Sequence, residues 1–274
     1  MRIALLQMTS GIDPAANAAV IVKAVAESAA GGAAMLFTPE MSGLIDRDRA
    51  RAKASVRRED DDIVLAAVRG AAKAHGIWVH IGSLAVDAGR DDGKFANRAF
   101  VIDPTGAVVA RYDKMHLFDV DLPTGESWRE SNAYVGGEGP TLVQTPLGLI
   151  GLSICYDLRF PALYAAYSAA GATMLTIPAA FTVPTGKAHW HILMRARAIE
   201  NACFVVAAAQ TGHHADGRET YGHSLVIGPW GDVLLDMGDA AGVGFCEIDL
   251  AQVDHVRTRI PVIAHRRLIS ALNG

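Results

Sequence analysis

Three cysteines in 274 residues, Cys155, Cys203 and Cys246, are too few and too widely separated for a disulfide framework, and no Cys-x-x-Cys pair is present. Reduced thiols in a cytoplasmic protein are the expectation. The chain also lacks an excess of positive charge: 25 Lys and Arg against 29 Asp and Glu leave a net charge of -4, which offers no general attraction to nucleic acid or anionic lipid. It has little in the way of long apolar runs. The longest, ACFVVAAA at 202–209, falls far short of the roughly 20 residues that a membrane-spanning helix needs. The N-terminal MRIALLQMTS has a short apolar stretch without a small-residue cleavage site, so it reads as a first strand, not an export signal. Finally, no Pro-, Ser- or Gly-rich linker divides the chain, which therefore reads as one domain over 1–274.

What is present is a large apolar fraction, 51% of residues, arranged as alternating strand-like and helix-like segments. RIALLQ (2–7) reads as a strand. Asp13-Pro14 then opens a helix running to Gly31-Gly32, with Asp as N-cap and Pro in the first turn. MLFTPE (35–40) is a second strand, a helix follows at about 61–75, and IWVHIGSLAV (77–86) is a third strand. The centre repeats the pattern: strand 148–154, helix 159–170, strand 173–177, helix 188–201 and strand 203–208. Two hairpins, around Asp103-Pro104-Thr105-Gly106 and Gly228-Pro229-Trp230-Gly231, occupy equivalent places and predict two related halves. Continuously apolar strands belong to sheets covered on both faces, here by helices on one side and a second sheet on the other. The Gly- and carboxylate-rich segment 119–140 is long enough to serve as a lid or as a surface excursion.

Cys155 ends the apolar strand GLSIC and is followed by Tyr156, Asp157 and Arg159. A thiol where a strand gives way to a helix lies at the sheet edge where α/β folds hold ligands, and a helix N-terminus there would favour its thiolate. Cys203 and Cys246 lie in apolar strands and read as inert. Among the ten histidines none stands out as a base for Cys155, so carboxylate and lysine partners come into consideration. Glu40 follows the strand MLFTP, and Lys114 follows a strand in ARYDKMHLF, each at an apolar strand end.

Together FTPEMSG, RYDKMHLFD and GLSICYDLRFPALY resemble the three catalytic motifs of the nitrilase, or carbon-nitrogen hydrolase, superfamily, in that family's order. The resemblance extends from MRIALLQM to PVIAHRRL. It implies an α/β fold, a four-layer α-β-β-α sandwich of two mixed sheets, assembled as a homodimer or higher homo-oligomer, with no metal and no cofactor. It implies Cys155 as nucleophile, Glu40 as base and Lys114 as oxyanion stabiliser together with the Tyr156 backbone N–H. A second glutamate supports the lysine; in TGESWRESN both Glu126 and Glu130 are available, and the match to RESN favours Glu130. By family position Phe181 and Thr185 line the pocket. Arg159 offers a bidentate fork to a substrate carboxylate or a tie to the first helical turn, the former favoured. Arg195, Arg197 and Glu200 read as an internal ion-pair network. The histidine-rich set His189, His191, His213, His214, Asp216 and His223 has no recognised metal spacing.

AHW, RARAIE, VVAAAQTGHH and YGHS are most similar to the branch that includes the amidase of deaminated glutathione and omega-amidase. The expectation is a thiol amidohydrolase acting on a small carboxylate-bearing amide, first deaminated glutathione, alternatively 2-oxoglutaramate or 2-oxosuccinamate. A catalytically weak scaffold of the same fold is the reading from a different class.

Overall fold

The computed structural model describes residues 1–121, 125, 127–267 and 269. Its first half runs β1 (Arg2–Gln7), α1 (Pro14–Ala30), β2 (Met35–Phe37), α2 (Arg49–Ser55), α3 (Ile63–His75), β3 (Trp78–Asp87), β4 (Phe95–Ile102) and β5 (Val108–Asp113). A small hairpin of β6 (Asp119–Asp121) and β7 (Ser127–Arg129) and the short β8 (Tyr134–Val135) follow. The second half runs β9 (Thr141–Thr145), β10 (Gly148–Leu152), α4 (Pro161–Ala169), β11 (Met174–Thr176), α5 (Val183–Asn201), β12 (Phe204–Ala207), the hairpin β13 (Thr211–His213) and β14 (Glu219–Tyr221), β15 (Leu225–Ile227), β16 (Val233–Asp236), β17 (Gly242–Glu247) and α6 (Ala251–Arg259).

One sheet has the order β17-β1-β2-β3-β4-β5, the other β16-β15-β12-β11-β10-β9. In each, three parallel strands are flanked on one side by a single antiparallel strand and on the other by an antiparallel hairpin. The two halves expected from the repeated hairpins are therefore present. Alternation along β1 shows how the layers are bound: Ile3 and Leu5 join the core shared with β10 and β11, whereas Ala4 and Leu6 face α1 and α3. On the far side, Tyr164, Tyr167, Trp190 and Met194 of α4 and α5 cover the second sheet. This is the four-layer α-β-β-α sandwich of two mixed sheets. Among the described residues no helix is long and apolar enough to cross a membrane.

Several boundaries differ from the sequence reading. The helix α2 was not anticipated because none of its residues is buried, so RARAKAS has no apolar stripe to betray it; its start is fixed by Asp48, whose carboxylate accepts the Arg51 N–H at 3.1 Å. The helix α5 begins at Val183, not 188, because Pro184 is tolerated in its first turn. The expected helix at 159–170 is divided: residues 155–159 form a 3-10 turn, and α4 starts only at Pro161.

The site depends on a bulge in β3. Pairing with β4 slips between Ile81 and Leu84, and the freed backbone takes up the segment after β2: Thr38 N–H donates to His80 O, Ser42 N–H to Ser83 O and Ser83 N–H to Pro39 O. Gly82 makes this possible, since a Cβ there would lie 2.1 Å from Thr38 O and 2.5 Å from Pro39 O, both backbone atoms. Gly82→Ala is expected to destabilise the protein by about 1–3 kcal/mol or more, read by denaturant unfolding, and to reduce kcat because the displaced segment carries Glu40.

Candidate active site

Glu40, Lys114 and Cys155 leave the ends of β2, β5 and β10 and meet between the two sheets, with Glu130 brought in from the 3-10 turn after β7. Cys155 opens its 3-10 turn in the left-handed region at φ 49°, and Met41, directly after Glu40, sits at φ 54°. Each such non-glycine residue costs roughly 1–3 kcal/mol, and each turn is held by its surroundings. The Cys155 N–H donates to Pro178 O at 2.8 Å. Within the turn, buried Asp157 accepts from Ile154 N–H, the Tyr112 hydroxyl and His116 N–H at 2.9, 2.7 and 3.0 Å. His116 then stacks on Phe160, ring centroids 3.6 Å apart.

The ionic centre is Lys114, only 2% exposed. Its Nζ donates to Glu40 Oε1 at 2.9 Å and to Glu130 Oε2 and Oε1 at 2.9 and 3.1 Å. Asn97 Nδ2 spans the same two carboxylates, at 3.0 Å from Glu40 and 3.1 Å from Glu130. Glu40 Oε2 accepts the Ala180 N–H at 2.8 Å and Glu130 Oε2 the Phe118 N–H at 2.7 Å. The buried Glu40 carboxylate is thus surrounded by a cation and by donors, the arrangement that a buried charge requires.

Burial alone would push the Glu40 carboxyl up, but the Lys114 charge and hydrogen bond bring it below the usual carboxylate range. Enclosure therefore does not raise it toward neutrality. Burial alone would depress Lys114; Glu130 and Glu40 instead raise it well above its usual value. The Cys155 thiol is pushed well up by burial and by the Glu40 charge, with Lys114 opposing. A helix N-terminus therefore does not favour the thiolate here: the resting state is a protonated thiol beside an ionised glutamate.

These groups form the floor of a cavity of about 430 Å³. Phe181 and Thr185 line it as expected, the Thr185 hydroxyl lying 2.8 Å from that of Thr182. Arg159 and Tyr156 do not line it. The Arg159 guanidinium lies over the Phe181 and Tyr156 rings, 5.5 and 5.9 Å from their centroids, a cation-π arrangement. Tyr156 itself packs edge-on to Phe118 and Phe160. Of the two candidate glutamates, Glu130 is paired with Lys114; Glu126 lies outside the described residues. Arg197 pairs with Glu200 at 2.8 Å, while Arg195 donates instead to Gly231 O.

The sequence reading missed Asn97, whose one signal is a polar residue inside the apolar strand FANRAF, and it missed the cavity rim. There Arg47, Arg49, Arg129 and Arg218 line the cavity with Trp128, the Arg47 and Arg218 guanidinium carbons 4.8 and 5.2 Å from its ring centroid. Arg129 is paired with Asp121 and Arg218 with Asp216. Arg47 and Arg49 have no carboxylate partner among the described residues, and no local pattern in DRDRAR distinguishes them from solvated surface charge.

The site predicts a sign. Lys114→Met leaves the buried Glu40 carboxylate without its counter-charge, which costs roughly 3–5 kcal/mol in unfolding experiments at neutral pH. With the lysine, Glu40 contributes stability that is present above 4.5 and lost as pH falls through its depressed value. Without it, burial raises that carboxyl, so the variant's deficit relative to wild type shrinks as pH is lowered below neutrality.

The profile of the family described as carbon-nitrogen hydrolase matches residues 2–258. The chain is 37% identical over 271 residues to a deaminated glutathione amidase of Yersinia enterocolitica, covering 98% of this chain and 94% of that protein. The crystal structure of the Caenorhabditis elegans NitFhit protein superposes with a TM-score of 0.90 at 39% identity, over 97% of this chain and 65% of that one. A glutamate-to-glutamine mutant of the amidase from Nesterenkonia sp. AN1 superposes with a TM-score of 0.81 at 29% identity, over 97% and 94% of the two chains; that structure shows covalent addition of the acetamide moiety of fluoroacetamide at its active-site cysteine.

Proposed function

This chain belongs to the carbon-nitrogen hydrolase family and is an amide-cleaving hydrolase, and from that premise we propose that it hydrolyses deaminated glutathione to 2-oxoglutarate and cysteinylglycine through a thioester on Cys155. The observation that carries the substrate class is the cavity itself: a charged catalytic floor beneath a rim of four arginines, two of them without carboxylate partners among the described residues. Such a rim favours a small amide bearing carboxylates at both ends. The relatives named as deaminated glutathione amidases support the choice within that class.

In this reading, Cys155 Sγ attacks the amide carbon while its proton passes to Glu40. The transfer is uphill in the free enzyme, where a depressed carboxyl faces a raised thiol, so the thiolate forms only as the C–S bond does. Lys114 and the Tyr156 N–H, a first-turn donor without a helical partner, stabilise the carbonyl oxygen as it becomes negative. Glu40 returns the proton to the departing nitrogen, leaving the acyl group on sulfur. A water, deprotonated by Glu40, then attacks the thioester; the carboxylic acid leaves and the thiol is restored. Glu130 and Asn97 keep Lys114 and Glu40 in register throughout. No step draws on a metal or a coenzyme.

The alternative within the branch, release of ammonia from 2-oxoglutaramate, differs only in the leaving group. Wild type and Cys155→Ala are to be compared on both substrates by 2-oxoglutarate release. Wild type is expected to favour deaminated glutathione in kcat/KM, and Cys155→Ala to lose turnover on both. Greater efficiency on 2-oxoglutaramate reverses the choice, and turnover by Cys155→Ala overturns the thioester. Arg47→Ala is expected to raise KM for the anionic amide by about tenfold with kcat little changed, and to leave KM for a neutral amide unaltered.

The assembly is proposed as a homodimer through the outer face of α5 and the β15–β16 hairpin, which expose Ile192, Ile199, Trp230, Val233 and Leu234. Light scattering on the eluting protein should give twice the chain mass, and Ile192→Asp with Ile199→Asp should return it to one.

A further inference from the structure

Away from the cavity, three side chains from three separate elements converge: His191 of α5, His223 in the turn between β14 and β15, and Asp236 at the end of β16. None lines the catalytic cavity. One ligand atom from each lies within 4.8 Å of the other two. His191 Nε2 is 2.9 Å from Asp236 Oδ2, and His223 Nδ1 is 2.9 Å from Asp236 Oδ1. About a third of each side chain remains open to solvent, 34% for His191, 27% for His223 and 33% for Asp236.

The three are held from behind. His223 takes the left-handed conformation at φ 54°, its N–H donating to Gly238 O and its carbonyl accepting the Trp190 indole N–H at 2.8 Å. Its ring is stacked on Tyr221, centroids 4.5 Å apart. Trp190 precedes His191 on α5, so one hydrogen bond fixes the spacing between the two histidines. Asp236 Oδ1 is further oriented by the Gly238 N–H at 2.9 Å. A backbone held in a strained conformation in order to present an imidazole to a carboxylate and a second imidazole is more than a helix and a hairpin need to pack together.

We propose that His191, His223 and Asp236 form a binding site for a divalent transition metal of the zinc type, distinct from the hydrolytic centre. Two imidazoles and one carboxylate suit such an ion, with metal-ligand distances of about 2.0–2.2 Å that place ligand atoms roughly 3.3 Å apart. Side-chain rotations of about an ångström reach that spacing from the observed one. In the ion-free protein the facing ring nitrogens bond to Asp236; binding needs their lone pairs, so each neutral ring carries its proton on its other nitrogen and the carboxylate turns to the ion. The fourth position is left to water. An ion there clips α5 to the β15–β16 hairpin and stabilises their junction. The inference does not depend on which amide is cleaved.

The test uses untagged, chelator-treated protein carrying Cys155→Ala, so that no cavity thiol competes for metal. Zn²⁺ is titrated calorimetrically, and Co²⁺ by its visible absorption. One equivalent per chain is expected, with affinity reduced by at least about tenfold in Asp236→Asn and in His191→Ala and unchanged in His213→Ala, which alters an exposed histidine outside the cluster. Zn²⁺ should also raise the Tm of the parent and not that of Asp236→Asn. Absence of stoichiometric binding, or equal affinity in parent, Asp236→Asn and His191→Ala, overturns the proposal.

Discussion

The structure depends on one buried cation. Lys114 is enclosed between the sheets, where an unpaired ammonium would be forced to give up its proton, and it stays charged because Glu40 and Glu130 accept all its donors. The same pairing works in reverse on the acids. Glu40 is kept ionised in surroundings that would otherwise protonate it, and its charge in turn keeps the Cys155 proton in place. Glu40, Lys114 and Cys155 thus shift one another's proton affinities and act as one coupled set.

That unit exists only where the two halves meet. Glu40, Lys114 and Asn97 come from the first sheet; Cys155 and the Ala180 N–H that orients Glu40 come from the second. The halves have the same strand order, yet each supplies what the other lacks. The core between the sheets, with Leu5 and Phe37 in one cluster with Ile150 and Leu152, thereby also sets the distance between Cys155 and Glu40. Stability and chemistry share the same contacts.

The fold class and the three central residues were legible in the sequence because strands, Pro-bounded turns and strand ends leave local marks, and because FTPEMSG, RYDKMHLFD and GLSICYDLRF resemble known motifs. Glu130 was legible by the same route. What local reading could not supply was direction. Arg159 follows the nucleophile closely in sequence, but the 3-10 turn swings it over Phe181, and its role depends on a rotation that no spacing records. Asn97 looked like one polar residue in a strand until the register with β5 set it beside Lys114. The arginine rim joins residues from positions 47 to 218, and Asp236 reaches His223 through the pairing of β16 with β15 and His191 through the packing of α5 on that hairpin. Contacts distant in sequence were the part that remained hidden.

The strand β17 has a further consequence. It is the last strand among the described residues and pairs antiparallel with β1, the first of them, from Arg2↔Glu247 to Gln7↔Gly242, and Ile248 N–H donates to Met1 O beyond the last pair. During synthesis β1 therefore leaves the ribosome well before its partner, which follows about 235 residues later, from Gln7 to Gly242. At a typical 5–20 residues per second, the growing chain carries an unpaired apolar strand edge for roughly ten seconds or more. The first half can collapse early around α1 and α3, but its sheet stays open beside β1 until β17 emerges to cover that edge.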